Sequence, residues 1–173
     1  MDHLNVEIKA RCENPKKIRN ILTKLGADYW GLDHQIDTYF NVPNGRLKLR
    51  EGNIENNLIF YRRKDDAGPK ASEVSLYEPR RGSEPDLRKI LKSALEVLVV
   101  VDKKRHIYRF ENVKFHVDQV KDLGSFVEIE VLDDFGTIKK PDLEKQCEHY
   151  MKLFKIEEKD LVSNSYSDML LKK

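Results

Sequence analysis

Charged side chains two residues apart recur along this chain. Glu7 and Lys9 sit in NVEIKA, Lys48 and Arg50 in RLKLR, Lys103 and Arg105 in VDKKRHIY, and Glu128 and Glu130 in FVEIEV. NVEIKA, RLKLR and FVEIEV alternate polar with apolar residues, so an extended chain puts their charges on one face and their aliphatic side chains on the other; in VDKKRHIY, Val101, Lys103, Arg105 and Ile107 share one face and Asp102, Lys104 and His106 the other. Lysine and arginine neutralise phosphate oxygens, and carboxylates hold hard divalent cations through oxygen. Together these residue types suit a polyanion bound with a divalent metal. In any single strand, a solvated charged face accounts for the alternation without further function.

The repetition weakens that simpler account. In IFYRR, Tyr61 and Arg63 share a face with Ile59; Arg62 competes for the position, and alternation with Tyr61 favours Arg63. In VKFHVDQV, Lys114, His116 and Asp118 alternate with Phe115 and Val117. The charged faces carry few apolar residues that a second layer could cover. If helices cover the apolar faces, the charged ones turn toward one another or toward a groove. A sheet closed around its charges is a tunnel rather than a packed core. Such an interior is costly unless its charges pair or bind something.

The elements that would position these residues follow from periodicity and punctuation. NPKKIRNILTKLGA reads as a helix: Asn14 caps it, Pro15 opens it, Ile18, Ile21, Leu22 and Leu25 form one stripe, and Gly26 ends it. SEPDLRKILKSALEV is a second amphipathic helix, with Leu87, Ile90, Leu91 and Leu95. KPDLEKQCEHYMKLF is a third, and NSYSDMLLK a short fourth. DTYFNVPNGRLKLRE reads as strand, turn at PNG, strand; NNLIFYRRKD, SEVSLYE, VLVVVDKKRHIYRF, VKFHVDQV and SFVEIEVL follow as strands. DDAGPKAS is a loop. This order lacks the regular alternation of a parallel sheet and predicts an antiparallel one, closed or curled, with helices outside.

The 173 residues suffice for one core, so a single domain spanning 1–173 is expected. Charged residues make up 36% of the chain but the net charge is only +2, which argues against a strongly basic nucleic-acid binder, so no DNA partner is expected. The longest apolar run, VLVVV, is too short to cross a bilayer. Two cysteines and no apolar leader point to a soluble protein in a reducing, cytoplasmic compartment. The histidines lack zinc spacing, and no phosphate-binding Gly-rich loop of the G-x-x-x-x-G-K-[ST] type occurs. His116 shares the inner face and is a weaker site candidate. Tyr29, Trp30 and Tyr39 read as core or rim packing rather than base-stacking groups.

These stretches, in this order, resemble the CYTH superfamily. VEIK after a polar residue is similar to its E-x-E-x-K signature, and RLKLR, LIFYRRKDDAGPK, DKKRHIY, FHVDQVKDLGSFVEIEV and the C-terminal SY match in sequence order. The resemblance implies an α+β fold: an eight-stranded antiparallel β-barrel forming a triphosphate tunnel, helices packed outside. It implies that Lys9, Lys48, Arg50, Arg63, Lys70, Lys103 and Arg105 hold a triphosphate. It assigns Glu7, Glu128 and Glu130 to Mg²⁺ or Mn²⁺, and Lys9, Arg63 and Asp118 to catalysis, with Asp118 as organiser or acid–base group. Ser165 and Tyr166 would close one tunnel mouth. Asn5 departs from the family pattern, which has Glu there, and removes one negative charge from the metal site.

The activity implied is that of a class IV adenylyl cyclase, converting ATP to cyclic AMP and pyrophosphate, because the HVD and LGSFVEIEV run resembles that branch more than the hydrolases. A triphosphatase acting on tripolyphosphate, thiamine triphosphate or a nucleotide uses the same residue types. A non-catalytic polyphosphate- or nucleotide-binding module is the third reading, and Asn5 is its support. The expected partner is such a triphosphate, bound by a monomer or homodimer.

Overall fold

The computed structural model describes residues 5–63, 72–133 and 135–173, and for Arg63, Ser72 and Glu73 the backbone alone. Its strands are β1 (Asn5–Arg11), β2 (Asp28–Phe40), β3 (Arg46–Glu51), β4 (Asn57–Arg63), β5 (Ser72–Tyr77), β6 (Val97–Phe110), β7 (Val113–Val120) and β8 (Gly124–Leu132). They form one antiparallel sheet in the order β1-β8-β7-β6-β2-β3-β4-β5. The helices are α1 (Pro15–Leu25), α2 (Glu84–Ala94), α3 (Lys140–Phe154) and α4 (Tyr166–Leu171). This is the expected α+β architecture. The sheet curls into a half-barrel, so that the edge strands β1 and β5 both face one cavity. Among the described residues no helix is long and apolar enough to cross a membrane.

The outer face of the sheet carries the main core, and a smaller cluster of Val101, Val120 and Phe126 packs under Tyr166 on the inner face. Val6 and Ala10 of β1, Val113, Phe115 and Val117 of β7, and Val127, Ile129 and Val131 of β8 are buried beneath Ile18 and Leu22 of α1 and Leu143, Cys147, Tyr150 and Phe154 of α3. Phe115 meets Tyr150 edge-on, with centroids 4.9 Å apart. Because side chains alternate, seating these residues outward commits Glu7, Lys9, His116, Glu128 and Glu130 to the inner face, and a one-residue slip would invert the arrangement. The Asn14 side chain accepts from the Lys17 N–H at 3.0 Å, and Gly26 adopts φ 81 at the end of α1, as its sequence predicts. Cys12 and Cys147 are both free thiols.

Two elements differ from expectation. β2 begins at Asp28, nine residues before the strand start read at Asp37. Gly31 and the polar run Asp33–Gln35 hide its alternation, and pairing along the whole of β6 supplies what local propensity lacks. α2 does not cover an apolar face. It has no buried residue, Ile90 is 63% exposed, and Arg88 ties it to the sheet through an ion pair with Glu51 at 2.8 Å.

Candidate functional site

A cavity of about 280 Å³ lies inside the curl. β1 supplies Glu7 and Lys9, β3 Lys48 and Arg50, β6 Lys103 and Arg105, and β8 Glu128 and Glu130, so these predicted site residues are gathered around one space. Ser165 and Tyr166 line it too, at the start of α4. Asp118 is fully buried behind the lining. Alternation along β4 puts Ile59 and Tyr61 on the cavity and Arg62 on the other face, 5.8 Å from the Phe60 ring centre. Lys70 and the side chain of Arg63 lie outside the described residues.

The charges are organised around two buried carboxylates. Asp37 of β2 receives Arg50 through two bonds of 2.9 Å, Lys103 at 2.8 Å and Lys48 at 3.2 Å. Burial alone would raise the Asp37 carboxyl, but Arg50, Lys103 and Lys48 together hold it well below the usual carboxylate range. Burial lowers Lys103 to about 7; Asp37 opposes that shift, yet it shares one negative charge among three cations, and Arg50 and Arg105 push the same way as burial. Glu55 adds a second acceptor for Arg50 at 2.9 Å. Burial raises the Glu55 carboxyl, and Arg50 and Arg105 outweigh it, leaving a value of about 2.

The second centre joins β6, β7 and β8. Arg105 donates to both oxygens of Asp118, at 2.8 and 2.6 Å, and to Glu128 at 2.8 Å. Glu128 also meets Lys9 at 3.1 Å and His116 Nδ1 at 3.2 Å. Burial would raise the Glu128 carboxyl, and Arg105, Lys9 and His116 reverse this and hold it well below normal. The Tyr166 hydroxyl donates to Asp118 at 2.7 Å, and the Lys9 ammonium sits 4.2 Å from the Tyr166 ring centre. Arg46 ties α4 to β3 through Ser165 at 2.8 Å and Asp168 at 3.0 Å.

Sequence reasoning missed Asp37, Glu55 and the residues that deliver Glu55. Asp37 had a signal: it sits two residues before the inward Tyr39 on the same strand. Glu55 had none, because it lies in the β3–β4 loop, where no period applies. That loop is wrapped around the buried Asp33 carboxylate, which accepts from the N–H groups of Asn53, Ile54 and Glu55 at 2.5, 2.9 and 3.0 Å. Gly52 passes so close that a Cβ there would come within 2.6 Å of Asp33 Oδ1.

Glu7 and Glu130, register partners across β1 and β8, face the same cavity, with Glu128 one inward position along the strand. Asn5 Nδ2 donates to Glu130 Oε1 at 3.4 Å, so the residue that departs from the family pattern touches a proposed ligand. Among the described residues no group of three or more His, Cys, Asp or Glu side chains is drawn together at metal-holding distance.

A curled antiparallel sheet with a charged interior defines a class, and comparison with known proteins agrees. The CYTH domain model matches residues 3–166, so the chain belongs to the CYTH domain family. It is 26% identical over 180 residues to a Methanocaldococcus jannaschii protein named "Putative adenylate cyclase MJ0240", covering 96% of this chain and 98% of that one. The PH1012 protein of Pyrococcus horikoshii shares the fold with a TM-score of 0.80 at 23% identity, over 95% of this chain and 98% of that one. A Vibrio parahaemolyticus structure titled a putative adenylate cyclase superposes with a TM-score of 0.74 at 19% identity, over 98% and 99% of the two chains.

Proposed function

We propose that this protein is a divalent-metal-dependent enzyme that binds a nucleoside triphosphate inside the curled sheet and forms cyclic AMP and pyrophosphate from ATP, in the manner of a class IV adenylyl cyclase. The observation that carries this reading is the convergence of Lys9, Lys48, Arg50, Lys103 and Arg105 from four strands on one cavity that also holds Glu7, Glu128 and Glu130. The name of the M. jannaschii relative supports the cyclase assignment.

The five cations would hold the phosphate oxygens. Asp37 and Asp118 act on them from behind: each fixes a guanidinium through two hydrogen bonds, Arg50 and Arg105 respectively, so little reorganisation is needed when the anion arrives. Both Asp118 oxygens are engaged by Arg105 and Tyr166, which favours the organising role over proton transfer. The hard oxygens of Glu7 and Glu130, opposite each other on the cavity, fit Mg²⁺ or Mn²⁺, with Glu128 beside them. A cation bound there supplies charge neutralisation for the phosphates. In the reaction the ribose 3′-hydroxyl gives up its proton to solvent as its oxygen bonds to the α-phosphorus, and the bond from the α-phosphorus to the bridging oxygen breaks to release pyrophosphate; positioning and electrostatics supply most of the rate.

Product analysis tests the proposal. The protein is incubated with ATP, thiamine triphosphate and tripolyphosphate, with Mg²⁺ or Mn²⁺. Cyclic AMP with pyrophosphate, abolished in Arg50→Ala, is the expected result. Orthophosphate would overturn the cyclase assignment in favour of hydrolysis, and tight binding without product would make the chain a binding module.

A further inference from the structure

We propose that Trp30 is the platform that selects an aromatic heterocycle on the substrate, distinguishing a nucleoside triphosphate from bare polyphosphate at the mouth of the cavity. This rests on the reading of the cavity as a triphosphate site.

Trp30 sits where the β2–β6 register breaks. Tyr29 pairs with Tyr108 and Gly31 with Ile107, which leaves Trp30 with no partner in β6. Tyr29 packs on the outer face against the rings of His106 and Tyr108, at 5.9 and 4.8 Å. The bulge, helped by Gly31 at φ 134, sets Trp30 on the other side. There the Lys114 ammonium lies 5.7 Å from its ring centre, and Lys114 lines the cavity. The indole nevertheless remains 47% exposed. Ile54, 41% exposed, lies over the neighbouring Gly31, its Cδ1 3.0 Å from where a Gly31 Cβ would stand. A large, half-exposed aromatic side chain thus stands against a lysine of this strongly polar cavity.

The two ends of the cavity are not equivalent. Lys114 and Asp118 are four residues apart on β7, roughly 13 Å along the strand. The Asp118 end is closed by Tyr166 of α4. The Lys114 end is bordered by Trp30. With phosphates held between them by Lys9 and Arg105, an organic group directed toward the Lys114 end meets the indole. A heterocycle stacks on indole whatever its hydrogen-bonding edge, so the platform selects an aromatic group rather than one particular base.

Trp30 is the sole tryptophan, so its fluorescence reports its own site. Titration with ATP and with tripolyphosphate, metal present, should give binding of both, with strong quenching by ATP only. Trp30→Ala should weaken ATP binding about tenfold while leaving tripolyphosphate affinity unchanged, and Trp30→Phe should recover most of the loss. The unchanged tripolyphosphate affinity shows that the variant is folded. Equal loss for both ligands, or no loss for either, overturns the platform. If the wild type binds neither ligand, the phosphate-cavity reading falls, and this inference with it.

Discussion

At the residue scale, Lys103 is the most informative group. Its ammonium is fully enclosed, and burial brings it to about 7 from an ordinary value near 10.5. A depressed folded value means that the unfolded chain binds the proton more tightly. The unliganded protein therefore gains stability from this group as pH rises from about 7 toward 10.5, and below about 7, where both states are protonated, it carries the full destabilisation. A polyanion beside Lys103 favours the charged form and reverses the preference. We expect tripolyphosphate binding at pH 8 to take up protons, and affinity to weaken as pH rises from 7 to 9. Calorimetry in buffers of different ionisation heats measures the uptake directly; identical heats in all buffers would remove Lys103 from the binding event.

At the element scale, the β3–β4 loop shows how a segment without regular structure becomes part of the site. Asp33 of β2 satisfies three successive backbone N–H groups and thereby places Glu55 against Arg50 and Gln35. Asp33→Ala leaves those donors without their acceptor, at a cost on the order of 2–3 kcal/mol. The expected signature is local: the amides of Asn53, Ile54 and Glu55 should exchange with solvent much faster, while those of β7 and β8 stay protected. Uniform acceleration across the sheet would mean that Asp33 supports the fold as a whole rather than this loop. α4 is held in a similar polar way, by the reciprocal cap between Ser165 and Asp168 and by Arg46. Its placement at the cavity was legible in the SY dipeptide only through the family resemblance.

At the scale of the whole molecule, the main apolar core lies outside the curl, and the charges lie inside beside a smaller apolar cluster of Val101, Val120, Phe126 and Tyr166. Among the described residues six basic and five acidic side chains line the cavity, so these charges are close to balanced before any ligand arrives. That balance explains how such a charged surface stays folded, and it predicts how a ligand substitutes for part of it. Asp37→Asn leaves Lys48, Arg50 and Lys103 without their shared carboxylate, and removing one partner of a buried pair costs about 3–5 kcal/mol. Tripolyphosphate brings negative charge to the same cations. We expect it to raise the melting temperature of Asp37→Asn by more than that of the wild type. An equal or smaller rise would place the phosphates elsewhere.

The alternation of NVEIKA, RLKLR, DKKR and VEIEV determined by itself which side chains share a face, because the period of a strand is a local property of covalent geometry. The same holds for α1, whose cap, stripe and terminating glycine lie within fourteen consecutive residues. Tertiary structure alone decided which carboxylate serves which cation. Asp37 and Lys103 meet across 66 positions of chain, and Arg105 finds Asp118 and Glu128 on two different neighbouring strands. It also decided that Trp30 escapes the ladder and stands beside Lys114, since a bulge arises from the mismatch between two paired strands and is written in neither alone. Contacts of this kind depend on sheet order and curl, which follow from burying the outer face against α1 and α3.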